Sequence, residues 1–220
     1  MSIFFSRFKL FLTLCFFSLY LFAQTPNLPN HSYTGQVLRN GDLILLPQDC
    51  TLCDLIETET SSPFSHMGMM IYDESALRWD VMEAGSWVQR IPLEKFLKKA
   101  ESNQKIIIMR HQDLASQLLS AEKIISAFKS YEHKPYDSLF LWNNQIKGQE
   151  AIYCSELIYL MLKKLDLSVP PLKVMNFKVN REGWQNYYLR FKSTIPENEL
   201  GISPMDFFHA SLFQVIGAIQ

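Results

Sequence analysis

Cys154 is the residue whose position most clearly suggests chemistry. It stands in AIYCSELIYLMLKKL, where an apolar stripe at helical spacing predicts a helix over residues 154–165: Leu157, Ile158, Met161, Leu162 and Leu165. A thiol at a helix N-terminus feels the positive end of the helix dipole, which favours the nucleophilic thiolate, and backbone N–H groups there could bind an oxyanion. The alternative is a small apolar filler, because free cysteine is among the most buried residue types.

A cysteine nucleophile needs a base, and the sequence offers five histidines. His66 opens an otherwise apolar strand in SPFSHMGMMIY, where a buried ring must find partners or cost about 1–3 kcal/mol. His111 ends a predicted strand and His133 lies in a loop, so both remain candidates. His31 and His209 lie in segments that would not hold a ring rigidly. The alternative for His66 is a core histidine whose hydrogen bonds are satisfied.

Glu83 is the candidate for the group that orients the imidazole. It stands in the apolar stretch WDVMEAGS, where a lone carboxylate is costly unless it is paired. Its distance from His66 along the chain suits a strand, a turn and an adjacent antiparallel strand, which would set the two side chains side by side. The alternative is an edge carboxylate that faces water. Asp80 is the weaker candidate, because regular pairing puts it on the opposite face.

The elements that must position these residues form strands first and helices later. Apolar runs predict strands at 41–47, 66–72, 79–84, 87–91, 105–110 and 212–216, with Gly85-Ser86 in a hairpin turn. Leu114, Leu118, Ala121, Ile125 and Phe128 are spaced as one face of a single helix, and shorter helices are predicted at 53–60, from Pro92 to about 100, and at Ser203-Pro204. Residues 133–141 and 168–180 are predicted to be irregular. This order predicts an α+β domain with a largely antiparallel sheet.

The composition of the 220 residues fits one globular domain and excludes several other classes. A net charge of −1 argues against a nucleic-acid-binding protein, which would carry a basic excess. With 48% hydrophobic and 13% aromatic residues, only 8 glycines and no internal period, the chain is neither disordered nor built from repeats.

The first 23 residues have the layout of a secretory signal peptide. Arg7 and Lys9 precede an uncharged apolar run over 10–22, and Ala23 offers a small residue for cleavage before Gln24. We therefore expect a protein exported across the inner membrane to the periplasm, with a signal peptide at 1–23, an extended leader at 24–34 and one domain at 35–220. The run is shorter than the ~20 residues of a membrane span, so we expect no stable span after cleavage. The alternative is an uncleaved anchor.

Five segments carry a resemblance to a known family. They are GDLILL at 41–46, FSHMGMMIY at 64–72, VMEAGSWVQRIPLEKF at 81–96, KPYDSLF at 134–140 and YCSELIYLML at 153–162. Their order, with the histidine strand ahead of the cysteine helix, resembles the permuted branch of the NlpC/P60 papain-like superfamily, in particular the YiiX/YebB-like proteins. In ordinary papain-like enzymes the cysteine helix comes first.

The resemblance implies a papain-like α+β fold in which Cys154 is the nucleophile, His66 the base and Glu83 the residue that orients the imidazole. It implies acyl transfer through a thioester, with no metal and no organic cofactor. Tyr136 corresponds to a position that lines the cleft, although it could equally be a buried aromatic anchor. Glu156 points away from Cys154 on the helix, so a packing or hydrogen-bonding role is expected for it.

Cys50 and Cys53 form a Cys-x-x-Cys motif, which in isolation suggests a redox pair or half of a zinc site. The segment lacks a βαβ setting and a second ligand pair, which favours a local disulfide or two structural thiols. A disulfide here would leave Cys154 as the free thiol of the mature chain.

Three functions remain open. The first is a cysteine amidase or peptidase that acts on a small peptide-like or amino-acid-conjugate substrate, for example a cell-wall fragment. The second is a thiol acyltransferase or lipid hydrolase of the same fold. The third is a binding protein that keeps the pocket without turning over a substrate, against which stand the three intact side chains.

Overall fold

The computed structural model describes residues 38–116 and 118–219. The predicted signal peptide, the leader and His31 lie outside the described residues. The strands of this part are β1 Leu43–Leu46, β2 His66–Asp73, β3 Arg78–Ala84, β4 Val88–Pro92, β5 Ile106–His111, β6 Gln145–Ile146, β7 Gln149–Glu150, β8 Lys173–Val174, β9 Leu200–Gly201 and β10 Phe213–Ile219. The helices are α1 Thr51–Thr60, α2 Leu93–Leu97, α3 Asp113–Ser116, α4 Ala121–Lys129, α5 Cys154–Lys164, α6 Arg181–Leu189 and α7 Pro204–His209.

The main sheet of the described residues has six strands in the order β10-β5-β1-β2-β3-β4, and each neighbouring pair is antiparallel. Two short ladders, β6-β7 and β8-β9, lie outside it. The predicted α+β fold with a mainly antiparallel sheet is confirmed. Short connections join β2, β3 and β4, so the segment that contains His66 and Glu83 folds from contacts close in sequence.

Each face of the sheet carries its own core, because alternate residues of a strand point to opposite sides. On β1, Leu43 and Leu45 belong to the core that contains α5, whereas Ile44 and Leu46 belong to the core that contains Phe96 of α2. In the described part of the chain, no helix is long and apolar enough to cross a membrane.

The predicted helix through Leu114 and Phe128 is wrong, because the structure divides it into α3 and α4 with residues 118–120 outside any helix. The Ser120 side chain accepts a hydrogen bond from the Lys123 backbone N–H at 3.4 Å and begins α4 as an N-cap. Leu118, which the spacing placed on the buried face, is 70% exposed. Local capping at Ser120 therefore outweighs the apolar periodicity.

Gly68 on β2 is a position where the absence of a side chain is required. A Cβ atom there would lie 2.3 Å from Val81 Cγ1 and 3.0 Å from the Met82 carbonyl oxygen of the paired strand. We expect Gly68→Ala to lower the free energy of unfolding by about 2 kcal/mol, because over-packing a core forces strands apart. Urea unfolding would measure the change. The double variant Gly68→Ala/Val81→Ala should lose less free energy of unfolding than the sum of the two single losses, because the smaller side chain at 81 makes room for the new methyl group. A Gly68→Ala protein as stable as the wild type would contradict the argument.

Candidate active site

His66 and Glu83 form a buried pair across β2 and β3. His66 is in phase with Met70 and Glu83 with Val81, so both side chains lie on the α2 face of the sheet. The ring Nε2 lies 2.6 Å from Glu83 Oε2, and the two residues are 4% and 0% exposed. Phe96 stacks on the imidazole with ring centroids 5.4 Å apart. The side-by-side arrangement predicted from the sequence is present.

The Glu83 carboxylate has two further partners that the sequence did not reveal. Gln89 on β4 donates from Nε2 to Oε1 at 2.9 Å, and Lys99, which follows α2, places Nζ 2.5 Å from Oε1 and 2.6 Å from Oε2. Burial raises the pKa of Glu83, but hydrogen bonds and charges from His66 and Lys99 outweigh it and lower the pKa to about 2. Glu83 is therefore ionised at neutral pH.

Cys154 is the first residue of α5, and its thiol meets the beginning of β2. Sγ donates a long hydrogen bond of 3.9 Å to the carbonyl oxygen of Ser65, the residue before His66. Burial lowers the pKa of His66, but hydrogen bonds and charge interactions with Cys154 and Glu83 outweigh it and raise the pKa to about 9. Because Nε2 faces Glu83, Nδ1 is the ring nitrogen left for the thiol. The structure thus brings Cys154, His66 and Glu83 together, while their roles in catalysis stay predictions.

Cys50 and Cys53 form a disulfide at the beginning of α1, which is one of the two alternatives that the sequence favoured over redox or zinc chemistry. Cys50 is the N-cap of the helix, and its sulfur accepts a hydrogen bond from the Cys53 backbone N–H at 3.1 Å. Among the described residues, Cys154 is consequently the free cysteine.

A cavity of about 320 Å³ opens beside Cys154. Its walls come from α1, α5, α6, α7 and the β8 segment, and much of the lining is apolar: Ile56, Phe140, Phe177, Trp184, Ile202 and Met205. The charged side chains at the cavity are already engaged. Lys173 pairs with Asp206 at 2.5 Å, and Glu59 accepts hydrogen bonds from the backbone of Lys178 and Val179. The cavity thus suits a compact, mainly apolar group placed against the sulfur.

Tyr136 lies beside the cysteine but does not line this cavity. It pairs with Ile152, two residues before Cys154, and its ring contacts Phe140 edge-on. Burial, followed by the charge of Cys154, raises the pKa of the phenol well above its ordinary value. Its predicted substrate contact stays a prediction.

The remaining candidates from the sequence are placed elsewhere. His111 is a core histidine with both nitrogens satisfied, since Nε2 donates to the Ser168 carbonyl at 2.9 Å and Nδ1 accepts from the Asp113 N–H at 3.1 Å. His133 is an exposed loop residue. His209 is exposed but lines the cavity, which its apparent position in a late turn did not indicate. Asp80 lies on the opposite face of β3 from Glu83, where it forms ion pairs with Arg78 and Arg90.

Glu156 is a buried carboxyl group in the first turn of α5. Oε2 accepts a hydrogen bond from the Tyr153 backbone N–H at 3.4 Å, and Oε1 has no hydrogen-bond partner among the described residues. Burial, with a smaller contribution from the charge of Asp137, raises the pKa of Glu156 to about 8. The hydrogen-bonding role expected from the sequence is present, and the group is protonated at neutral pH.

The fold and this site together define a permuted papain-like protein, in which the histidine strand precedes the cysteine helix along the chain. The model of a family described as permuted papain-like amidase enzymes, YaeF/YiiX, C92, matches residues 37–217, and the chain belongs to that family. The family assigns the protein to the amidase kind of cysteine hydrolase.

Two similar proteins come from Escherichia coli. The strain K12 protein YiiX, described as uncharacterized, is 24% identical over 186 residues, which cover 78% of this chain and 82% of YiiX. A crystal structure of YiiX from strain O157:H7, described as a metalloprotein, superposes with a TM-score of 0.67 at 25% identity and covers 81% of this chain and 96% of that one. In residues 38–116 and 118–219 of the present chain, His, Cys, Asp and Glu side chains form no group of three that fits a metal ion.

Proposed function

We propose that this protein is an exported cysteine hydrolase that cleaves an amide bond in a small peptide-like or amino-acid-conjugate substrate. Cys154 attacks the carbonyl carbon, and His66 then donates a proton to the leaving amine. Water, deprotonated by His66, releases the acid from the thioester. Glu83 keeps the imidazole oriented with Nδ1 toward the sulfur. Support for export comes from the cationic and apolar pattern of residues 1–23.

The observation that carries this proposal is the position of His66 between Glu83 and Cys154, the latter of which lines the cavity. A thiolate and an imidazolium stabilise one another when they adjoin, and the raised pKa of His66 favours this charged form. Cys154 begins α5, so its backbone N–H has no partner within the helix and is available to bind an oxyanion.

The apolar cavity favours a second candidate, a thioester-forming hydrolase or acyltransferase that acts on a lipid ester or amide. Such an enzyme would place an aliphatic acyl chain against the apolar lining. The two candidates differ in chain-length preference. A rate with p-nitrophenyl octanoate far above that with p-nitrophenyl acetate would favour the second candidate.

Labelling with iodoacetamide tests the thiol–imidazole pair without knowledge of the substrate. At pH 7 we expect Cys154 to react about tenfold or more faster in the wild-type protein than in His66→Ala, because the imidazole accepts the thiol proton. His133→Asn is the matched control, since it removes an exposed histidine at a left-handed backbone position that asparagine tolerates. Intact mass and the position of the labelled peptide give the measurement.

Two outcomes would count against the proposal. Equal labelling rates for the wild-type protein and His66→Ala would indicate a pocket that does not activate its thiol. If Cys154 labels quickly but p-nitrophenyl acetate gives no burst of p-nitrophenol, the thiol is activated without forming an acyl-enzyme. That result would contradict the proposed hydrolase.

A further inference from the structure

We propose that Lys99 is a positioning residue of this site, which holds the Glu83 carboxylate in place and balances its charge while His66 exchanges its proton. The inference rests on the proposed function and extends the three-residue arrangement to a fourth side chain. The resemblance to the permuted papain-like proteins did not suggest Lys99, which comes from the turn after α2.

The contacts of Lys99 differ from those of a surface ion pair. Nζ lies within hydrogen-bond distance of both oxygens of Glu83, at 2.5 and 2.6 Å, and the carboxylate is completely buried. The Lys99 side chain is only 22% exposed. Oε2 accepts from His66 and Lys99 together, so a movement of the ammonium group changes the oxygen that orients the imidazole.

Phe96 links Lys99 to the imidazole through one apolar surface. The ring centroid of Phe96 lies 5.4 Å from that of His66 and 5.8 Å from Lys99 Nζ. The residues after β4 therefore approach the His66–Glu83 pair from one side with a ring and a cation. Gly85 completes the packing, since a Cβ atom there would lie 3.2 Å from Glu83 Oε1 and 3.4 Å from Lys99 Nζ.

The charges around Glu83 explain why a cation is needed. His66 faces it from β2, the neutral Gln89 from β4 and Lys99 from the turn after α2, while Cys154 faces His66 from α5. When His66 gives its proton to the leaving amine, the imidazole becomes neutral. Without Lys99, Glu83 would then be a buried carboxylate with no cation, which is costly. Lys99 therefore favours the step in which His66 acts as an acid.

The test is the pH dependence of iodoacetamide labelling at Cys154, which reports the two macroscopic pKa values of the thiol–imidazole pair. In Lys99→Met the full charge of Glu83 acts on His66, so we expect the upper value to rise by roughly one pH unit. Lys99→Arg should restore most of the wild-type profile. Lys98→Met is the matched control, because it removes an exposed lysine at the adjacent position and should leave the profile unchanged.

A double variant separates positioning from a general structural effect. If Lys99 acts mainly through Glu83, Lys99→Met should raise the upper value clearly more in the wild-type background than in Glu83→Gln, where only the direct repulsion between ammonium and imidazolium is removed. An unchanged profile in Lys99→Met, or an equal shift in both backgrounds, would overturn the inference. Failure of the proposed function looks different, because labelling of the otherwise unaltered protein would then be insensitive to His66→Ala.

Discussion

Glu83→Gln should lower the hydrolysis of p-nitrophenyl acetate by about 10² to 10⁴-fold and leave the protein folded. The substitution keeps the shape of the side chain but replaces one oxygen by an NH₂ group. If the NH₂ group faces His66 Nε2, that nitrogen must accept a hydrogen bond, so the proton moves to Nδ1 and the ring cannot deprotonate Cys154. If it faces the other way, it meets two donors, Gln89 and Lys99. Neither orientation preserves the wild-type network.

Steady-state kinetics with circular dichroism as a folding check would measure this effect. Glu94→Gln is the matched control, since it changes an exposed glutamate on α2 in the same way and should keep wild-type turnover. Turnover of Glu83→Gln within twofold of the wild type would show that another group orients His66.

The His66–Glu83 pair should make the stability of the protein depend on pH at both the acidic and the alkaline end. The pKa of Glu83 is lowered to about 2 from 4.5, so its stabilising contribution is present above 4.5 and is lost as the pH falls toward 2. The pKa of His66 is raised to about 9 from 6.5, so its contribution is present below 6.5 and is lost as the pH rises through 9. The difference in Tm between the wild type and Glu83→Gln should therefore narrow in acid.

Glu156→Gln should stabilise the protein at alkaline pH. The folded chain keeps the Glu156 proton up to about pH 8, whereas the unfolded chain loses it near 4.5. The free energy of unfolding consequently falls between these values, by an amount on the order of a few kcal/mol at a buried site. Glutamine resembles the protonated acid and does not ionise, so the variant should lose less stability over this range.

Urea unfolding at a series of pH values between 4.5 and 9 would measure how the free energy of unfolding changes with pH in the wild type and in Glu156→Gln. Glu182→Gln, at an exposed position of α6, is the matched control and should follow the wild-type curve. Parallel curves for the wild type and Glu156→Gln would show that Glu156 ionises in the folded protein, for example by contact with water.

The central strands and the cysteine helix could be predicted because each is a continuous apolar pattern with clear ends. The predictions for β2, β3, β4 and α5 are confirmed to within a few residues. The pairing of His66 with Glu83 followed from a short hairpin, which is a local property of the chain. The Cys50–Cys53 disulfide could also be predicted, because its two residues are only three positions apart in the sequence.

Two features that escaped prediction, the helix α6 and the contact of Lys99 with Glu83, depend on tertiary packing and not on a local sequence pattern. The helix α6 has Gly183 near its beginning and few apolar residues outside its aromatic cluster, so it has little helical signal of its own. Trp184, Tyr187 and Tyr188 hold it by burial, and the Asn180 cap was the one local sign. Lys99 reaches Glu83 because the turn after α2 folds back over β3, and no sequence spacing indicates such a return.

The hairpin of β2 and β3 also bears on how the chain acquires reactivity during synthesis. Imidazole, carboxylate and ammonium group all come from one early stretch of the polypeptide, and the sulfur arrives 89 residues after Ser65. The segment that carries His66, Glu83 and Lys99 is therefore synthesised well before Cys154, the predicted nucleophile. Under the proposed function, Cys154 becomes activated when α5 docks beside His66, so reactivity is delayed until most of the domain has been made.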